Sequence, residues 1–246
     1  MDPNIIKEII LQPIPPFQAL TDWWSIPIIE NSEEMISINY SPEEQIVLEN
    51  KYYNDKVIGS ISDIMVRKTV YDKLLTASKS LPHNIKLFIW DGWRPKVVQE
   101  CLYQKSKDAI SLANHGLDKD NIAIKAEIYA ADSSKSELKN PPHSTGGAVD
   151  VSLLDNDGNP LPMGTNLDYF GEEATTNYFE KKIMQQALLE NEIFYLHNRR
   201  LLYWTMINAG FTNYPHEWWH YDYGNQFWAV QNKTSAFYGI INNPNE

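Results

Sequence analysis

His143-Ser144-Thr145-Gly146-Gly147-Ala148-Val149-Asp150, continuing through Val151 and Ser152, is the stretch on which the fold turns. From Gly147 to Ser152 the residues alternate with the period of a β-strand. Ala148, Asp150 and Ser152 then share one face, and Val149 and Val151 the other. The valines can pack into a core while Asp150 points into a cleft. A half-buried carboxylate in such a strand needs a partner, since a charge buried alone is costly. A uniform strand would carry His143 to the face opposite Asp150, but Gly146 and Gly147 offer a bend that lets both side chains converge.

A second segment, Glu217-Trp218-Trp219-His220, completes the set. Two neutral imidazoles (His143, His220) and one carboxylate (Asp150) are a borderline-soft ligand set that suits a single Zn²⁺ with its fourth position left open for water. Glu217, not binding the metal, could move that water's proton. Taken singly, His143 has a bland reading as a polar loop residue and Asp150 as half of a salt bridge. Glu217 and His220 are harder to dismiss, because polar groups among Trp218, Trp219 and Tyr221 are costly to bury unless something pairs them. The overlapping run His216–His220 also fits H-E-x-x-H, in which a helix brings two histidines onto one face. Gly210, Pro215 and the β-prone aromatics around it argue against a helix there, and that reading leaves His143 and Asp150 without a role.

Upstream, Lys86–Trp90 is a short apolar run bounded by turn formers and predicts a buried strand. It leads into Asp91-Gly92-Trp93-Arg94-Pro95, a turn feeding a helix with Pro95 at its first position. Arg94 in that turn could stabilise a developing oxyanion or form a structural ion pair; spacing supports either. Val66, Val70, Leu74 and Ala77 recur at helical spacing and predict a helix over 62–80 capped by Ser62. A second helical region spans 177–209 with a break near Asn191, a buried stripe of Leu202, Met206 and Ala209, and a stop at Gly210. Residues 105–141 are polar and show no clear pattern. Residues 1–20, with Pro13, Pro15 and Pro16, read as an extended arm. The expected organisation is a single domain, with an N-terminal arm over 1–50 packed on a catalytic body over 51–246.

The hydrophobic share of 43%, with eight Trp, eight Phe and fourteen Tyr in 246 residues, is ample for a folded core. A net charge of −11 without basic clusters argues against nucleic acid as a partner. Cys101 is the only cysteine, which excludes an intrachain disulfide and a cysteine-rich zinc site. The start shows no basic n-region followed by an apolar run, and no membrane span is visible, so the expected location is the cytoplasm.

These residues in this order resemble the D-alanyl-D-alanine dipeptidases, the VanX-type zinc D,D-dipeptidases of peptidase family M15. Four anchors carry the resemblance: Asp91-Gly92-Trp93-Arg94-Pro95, His143-x6-Asp150, Met163-Gly164-Thr165-x-Leu167-Asp168 and Glu217-Trp218-Trp219-His220. It implies that His143, Asp150 and His220 hold zinc, that Glu217 is the acid/base and that Arg94 stabilises the tetrahedral intermediate. It also implies that Asp168 receives the free amino group of a small dipeptide. The family fold is α+β, a small, mainly antiparallel sheet flanked by helices with the metal in a cleft on the sheet. The absence of alternating βαβ units agrees with that class. Pro141 departs from the serine that the family often places two residues before the first zinc histidine, and proline offers neither N–H nor hydroxyl. The alternatives are a D,D-carboxypeptidase or endopeptidase acting on cell-wall peptides, and a zinc-holding module that binds without catalysis. Oligomeric state is not legible in the sequence.

Overall fold

The computed structural model of the chain describes residues 8–132 and 140–244; residues 1–7 of the expected arm and 133–139 of the polar stretch lie outside the described residues. Its named strands are β1 (Met35–Ser37), β2 (Ile46–Leu48), β3 (Met65–Arg67), β4 (Ile85–Asp91), β5 (Ala148–Asp155), β6 (Thr212–Asn213) and β7 (His220–Asp222). β1 and β3 form an antiparallel ribbon, and the main sheet runs β2-β4-β5-β7-β6. β2 lies parallel to β4, whereas β4–β5, β5–β7 and β7–β6 are antiparallel. The sheet is therefore mixed, with antiparallel pairing through its centre. Helices flank it, in agreement with the α+β expectation.

β5 is the central strand, and its alternation has the expected use. Val149, Val151 and Leu153 enter the main core with Leu87 and Ile89 of β4, while Asp150 lines a cavity. The helices Lys68–Ser80 and Glu190–Asn208 bring Val70, Leu74, Ala77, Leu202 and Met206 into the same core, each fully buried. Burying one such aliphatic side chain stabilises the fold by roughly 1.5–3 kcal/mol relative to leaving it exposed. This core fixes the sheet on which the site is built.

Three local readings shift. The helix expected over 62–80 begins only at Lys68, and Ser62 does not cap it. Met65–Arg67 instead pairs with β1, so Val66 is buried as a strand residue that happens to continue the helical spacing. The break expected near Asn191 falls between the helices Tyr178–Gln185 and Glu190–Asn208. The polar stretch after residue 105 holds the rest of the helix Lys96–Ala113 and the helix Lys119–Ala126. Two of the buried positions of the first, Gln99 and Ser106, are polar, which hides its inward stripe from a hydrophobic reading.

The arm is tied down at residues 10–14. Arg200 Nη1 donates to the Ile10 carbonyl at 3.0 Å, Trp204 Nε1 to that of Gln12 at 3.0 Å, and the Ile14 N–H donates to Glu180 Oε1 at 3.0 Å.

Candidate metal centre

Cross-strand register brings the acidic and imidazole groups together. Asp91 of β4 stands opposite Asp150 of β5, and Asp150 stands opposite His220 of β7. Directly opposed residues of neighbouring strands project from the same face. A row across three strands thus gathers residues remote in sequence. His143 arrives from outside the sheet, on the 3₁₀ turn Pro142–Thr145 that precedes β5. Gly146 turns the chain from that helix into the strand with φ +71°, in the left-handed region, and a Cβ there would come within 2.5 Å of Met35 Sδ. The bend expected at this glycine pair is the device that aims His143 at Asp150.

His143, Asp150 and His220 are all buried, and one ligand atom from each lies within 4.8 Å of the others. His143 Nε2 is 3.1 Å from His220 Nδ1 and 3.2 Å from Asp150 Oδ2, and His220 Nδ1 is 3.1 Å from Asp150 Oδ1. The opposite ring nitrogens are committed. His143 Nδ1 donates to the Gly92 carbonyl at 2.8 Å, and His220 Nε2 donates to Asp222 Oδ1 at 3.1 Å. Each imidazole is thereby oriented so that its other nitrogen, His143 Nε2 or His220 Nδ1, faces its partner ring and the carboxylate. The three converging ligand atoms fit a divalent cation, which would take the place of any ring proton between them, and the donor set meets the nitrogen and oxygen preference of zinc. Burial disfavours the charge of Asp150, but the positive charge and hydrogen bonds that the two histidine rings offer outweigh it and lower its pKa.

Glu217 lies beside this cluster rather than in it, with Oε2 3.8 Å from His220 Nδ1. Burial pushes its pKa well above the usual carboxylate range; His220 opposes that shift, and Asp150 and Asp168 add to it. The segment carrying Glu217 is a turn, not a helix. Tyr214 N–H donates to the His220 carbonyl, and the buried Asn213 side chain donates to the carbonyls of Glu217 (3.2 Å) and His220 (2.9 Å). His216 is exposed and stands outside the ligand cluster, so the H-E-x-x-H geometry does not form.

Arg94 is buried at the same cavity with its guanidinium held on every side. Nε donates to Asp91 Oδ2 at 2.9 Å, Nη1 to Gln99 Oε1 at 2.8 Å, and Nη2 to Asp150 Oδ2 at 3.2 Å and Tyr52 Oη at 3.4 Å. Burial works against its charge, but Tyr52, Asp91 and Asp150 more than offset this and raise its pKa. Asp168 sits in a left-handed backbone conformation, φ +57°. Its Oδ1 accepts from Tyr52 Oη at 3.2 Å, while its buried Oδ2 has no hydrogen-bond partner among the described residues. Burial, with Asp150 adding to it, lifts its pKa to about 6.

The six residues singled out from the sequence thus line one cavity of about 520 Å³. Sequence reading missed Tyr52, Asp91, Gln99, Asn213 and Asp222. Asp91 lay inside a recognised motif, but its bond to Arg94 is not visible there. Tyr52 and Asp222 carried no signal short of the fold.

Residues 35–238 match the Peptidase M15 family, described as D-ala-D-ala dipeptidase. The chain is similar to the D-alanyl-D-alanine dipeptidase of Synechocystis sp., 32% identical over 172 residues, which is 63% of this chain and 69% of that protein. The enzyme of the same name from Enterococcus faecium is 32% identical over 139 residues, covering 55% of this chain and 60% of the relative. That of Escherichia coli K12 is 27% identical over 173 residues, covering 68% and 73%.

Proposed function

Since the chain belongs to the D-alanyl-D-alanine dipeptidase family of metallopeptidases, we propose that it hydrolyses free D-Ala-D-Ala, or a close D,D-dipeptide, at a zinc ion held by His143, Asp150 and His220. The observation that carries this reading is the convergence of three buried ligand atoms beside a buried carboxyl group, Glu217, in one cavity. Zinc, when bound there, polarises the scissile carbonyl and acidifies the attacking water.

The chain's own groups supply the rest. Glu217 takes a proton from the water as it attacks and passes it to the leaving amine. Its raised pKa makes the carboxyl group a competent acid as well as a base. Arg94 keeps its charge in the buried site and offsets the negative charge that develops on the carbonyl oxygen. Asp168 receives the substrate ammonium: Oδ2 is a buried acceptor lacking a partner among the described residues, and a cation there favours the ionised carboxylate that burial disfavours. Ammonium recognition favours a free dipeptide over the N-acylated end of a longer wall peptide.

The test is alanine release from D-Ala-D-Ala, L-Ala-L-Ala and N-acetyl-D-Ala-D-Ala by zinc-loaded and chelator-treated protein. Zinc-dependent cleavage of the free D,D-dipeptide alone is expected. Cleavage of the acetylated substrate would move the assignment to a carboxypeptidase. No cleavage by protein that binds zinc stoichiometrically would leave a binding module.

A further inference from the structure

The cavity has a wall that the catalytic residues do not build. Pro16, Phe17, Leu20 and Trp23 line it from the N-terminal arm, outside the residues matched by the family. This part of the arm is held between two fixed ends. Ile14 is buried and bonded to Glu180, and beyond Trp23 the Gln226 side chain donates to the carbonyls of Trp24 (3.1 Å) and Ile26 (2.8 Å). Between them Phe17 packs edge-on against Tyr203, with ring centroids 6.1 Å apart. Pro15 and Pro16 stiffen the crossing, since each fixes its own φ.

A chain of ring contacts ties this wall to the metal ligands. Trp23 meets Phe227 edge-on at 4.6 Å, Phe227 stacks on Tyr214 at 5.1 Å, and Tyr214 meets the His220 ring at 5.7 Å. Asp168 is reached by another route, through Tyr52 and Arg94 to Asp150. In the proposed binding mode the ammonium is at Asp168 and the scissile bond at the metal ligands, which leaves the C-terminal residue to meet the wall that adjoins His220. A cavity of about 520 Å³ exceeds what two alanines need and falls in the range of roughly 300–1,000 Å³ typical of sites for larger ligands.

We propose that Phe17, Leu20 and Trp23 of the arm, with Phe227 and Tyr214, form an apolar subsite for the side chain of the dipeptide's C-terminal residue, so that the preferred substrates carry a bulky apolar residue there. The subsite rests on the dipeptidase reading above. It makes the arm a specificity element, acting by burying substrate apolar surface and not by chemistry.

The experiment is kcat/KM for D-Ala-D-Ala, D-Ala-D-Leu, D-Ala-D-Phe and D-Leu-D-Ala with the zinc-loaded wild-type chain and with Leu20→Ala and Phe17→Ala. A hydrophobic pocket discriminates by about tenfold or more per side-chain step. D-Ala-D-Leu and D-Ala-D-Phe are expected to exceed D-Ala-D-Ala by about that factor. D-Leu-D-Ala should gain nothing. Each variant should cut the preference several-fold. A ratio of two substrates in one preparation does not depend on how much of a variant is folded, so it reads specificity even if folding suffers. A wild-type preference for D-Ala-D-Ala, or ratios unmoved in both variants, overturns the subsite while leaving the dipeptidase intact. Failure to cleave any of the four by protein that binds zinc overturns the dipeptidase reading itself.

Discussion

Tyr52→Phe removes one oxygen atom, and the structure says what that atom does. Tyr52 Oη donates to Asp168 Oδ1 at 3.2 Å and accepts from Arg94 Nη2 at 3.4 Å. Arg94 keeps Asp91, Gln99 and Asp150 in the variant, so its position and charge should hold. Asp168 has no such reserve, because Oδ2 already lacks a partner among the described residues. A hydrogen bond to a charged group contributes about 1.5–3 kcal/mol, equivalent to about 1–2 pKa units. The carboxyl group, already lifted to about 6, would then titrate at about 7–8. The ionised fraction at pH 7 falls from about nine-tenths to between about one-half and one-tenth. Steady-state kinetics across pH 5–9 is the assay. The variant-to-wild-type ratio of KM for D-Ala-D-Ala, taken at each pH, should be about 2–10 at pH 7 and fall toward about 1 near pH 9, with kcat little changed. Loss of the substrate's own ammonium proton at the alkaline end affects both proteins alike. A large fall in kcat at unchanged KM would refute the argument, since it would mean that the hydroxyl serves Arg94 or the reacting atoms instead of Asp168.

Asp168→Asn should raise KM at every pH, and it should also stabilise the protein at neutral pH. A carboxyl group with its folded pKa raised to about 6 contributes stability that is full below its unfolded value and is lost as pH rises through 6. The amide escapes that loss, on the order of 2–3 kcal/mol, as a higher Tm at pH 7.5 than at pH 4.5 relative to wild type would show. Glu217→Gln should bind metal with the wild-type stoichiometry and lose about 10²–10⁴ in kcat; near-normal turnover would remove it as the acid/base. Asp222→Asn weakens the acceptor that orients His220, and chelator competition should find metal affinity about 10–100-fold lower, whereas unchanged affinity would limit Asp222 to packing. Gly146→Ala forces a Cβ into the left-handed turn and against Met35, so thermal denaturation should show a loss of more than about 1 kcal/mol.

Some of this was legible in the sequence because it is local. The alternation of Gly147–Ser152 assigns β5 and the faces of Val149 and Asp150, the Gly146-Gly147 pair marks the bend, and the H-E-x-x-H helix fails on its own β-prone neighbours. Such features depend on the backbone geometry of a few consecutive residues, and period and glycine content report that directly. Which groups meet across the fold is another matter. The row Asp91, Asp150 and His220 exists only through the register of three strands. Tyr52 reaches Arg94 and Asp168 from a four-residue helix, Lys51–Asn54, that shows no amphipathic stripe. The arm forms a cavity wall through contacts between segments far apart along the chain. No local preference encodes such pairings. They are set when the apolar faces of β5 and of the two long helices are buried together, which decides by packing where every polar side chain of the opposite face must stand.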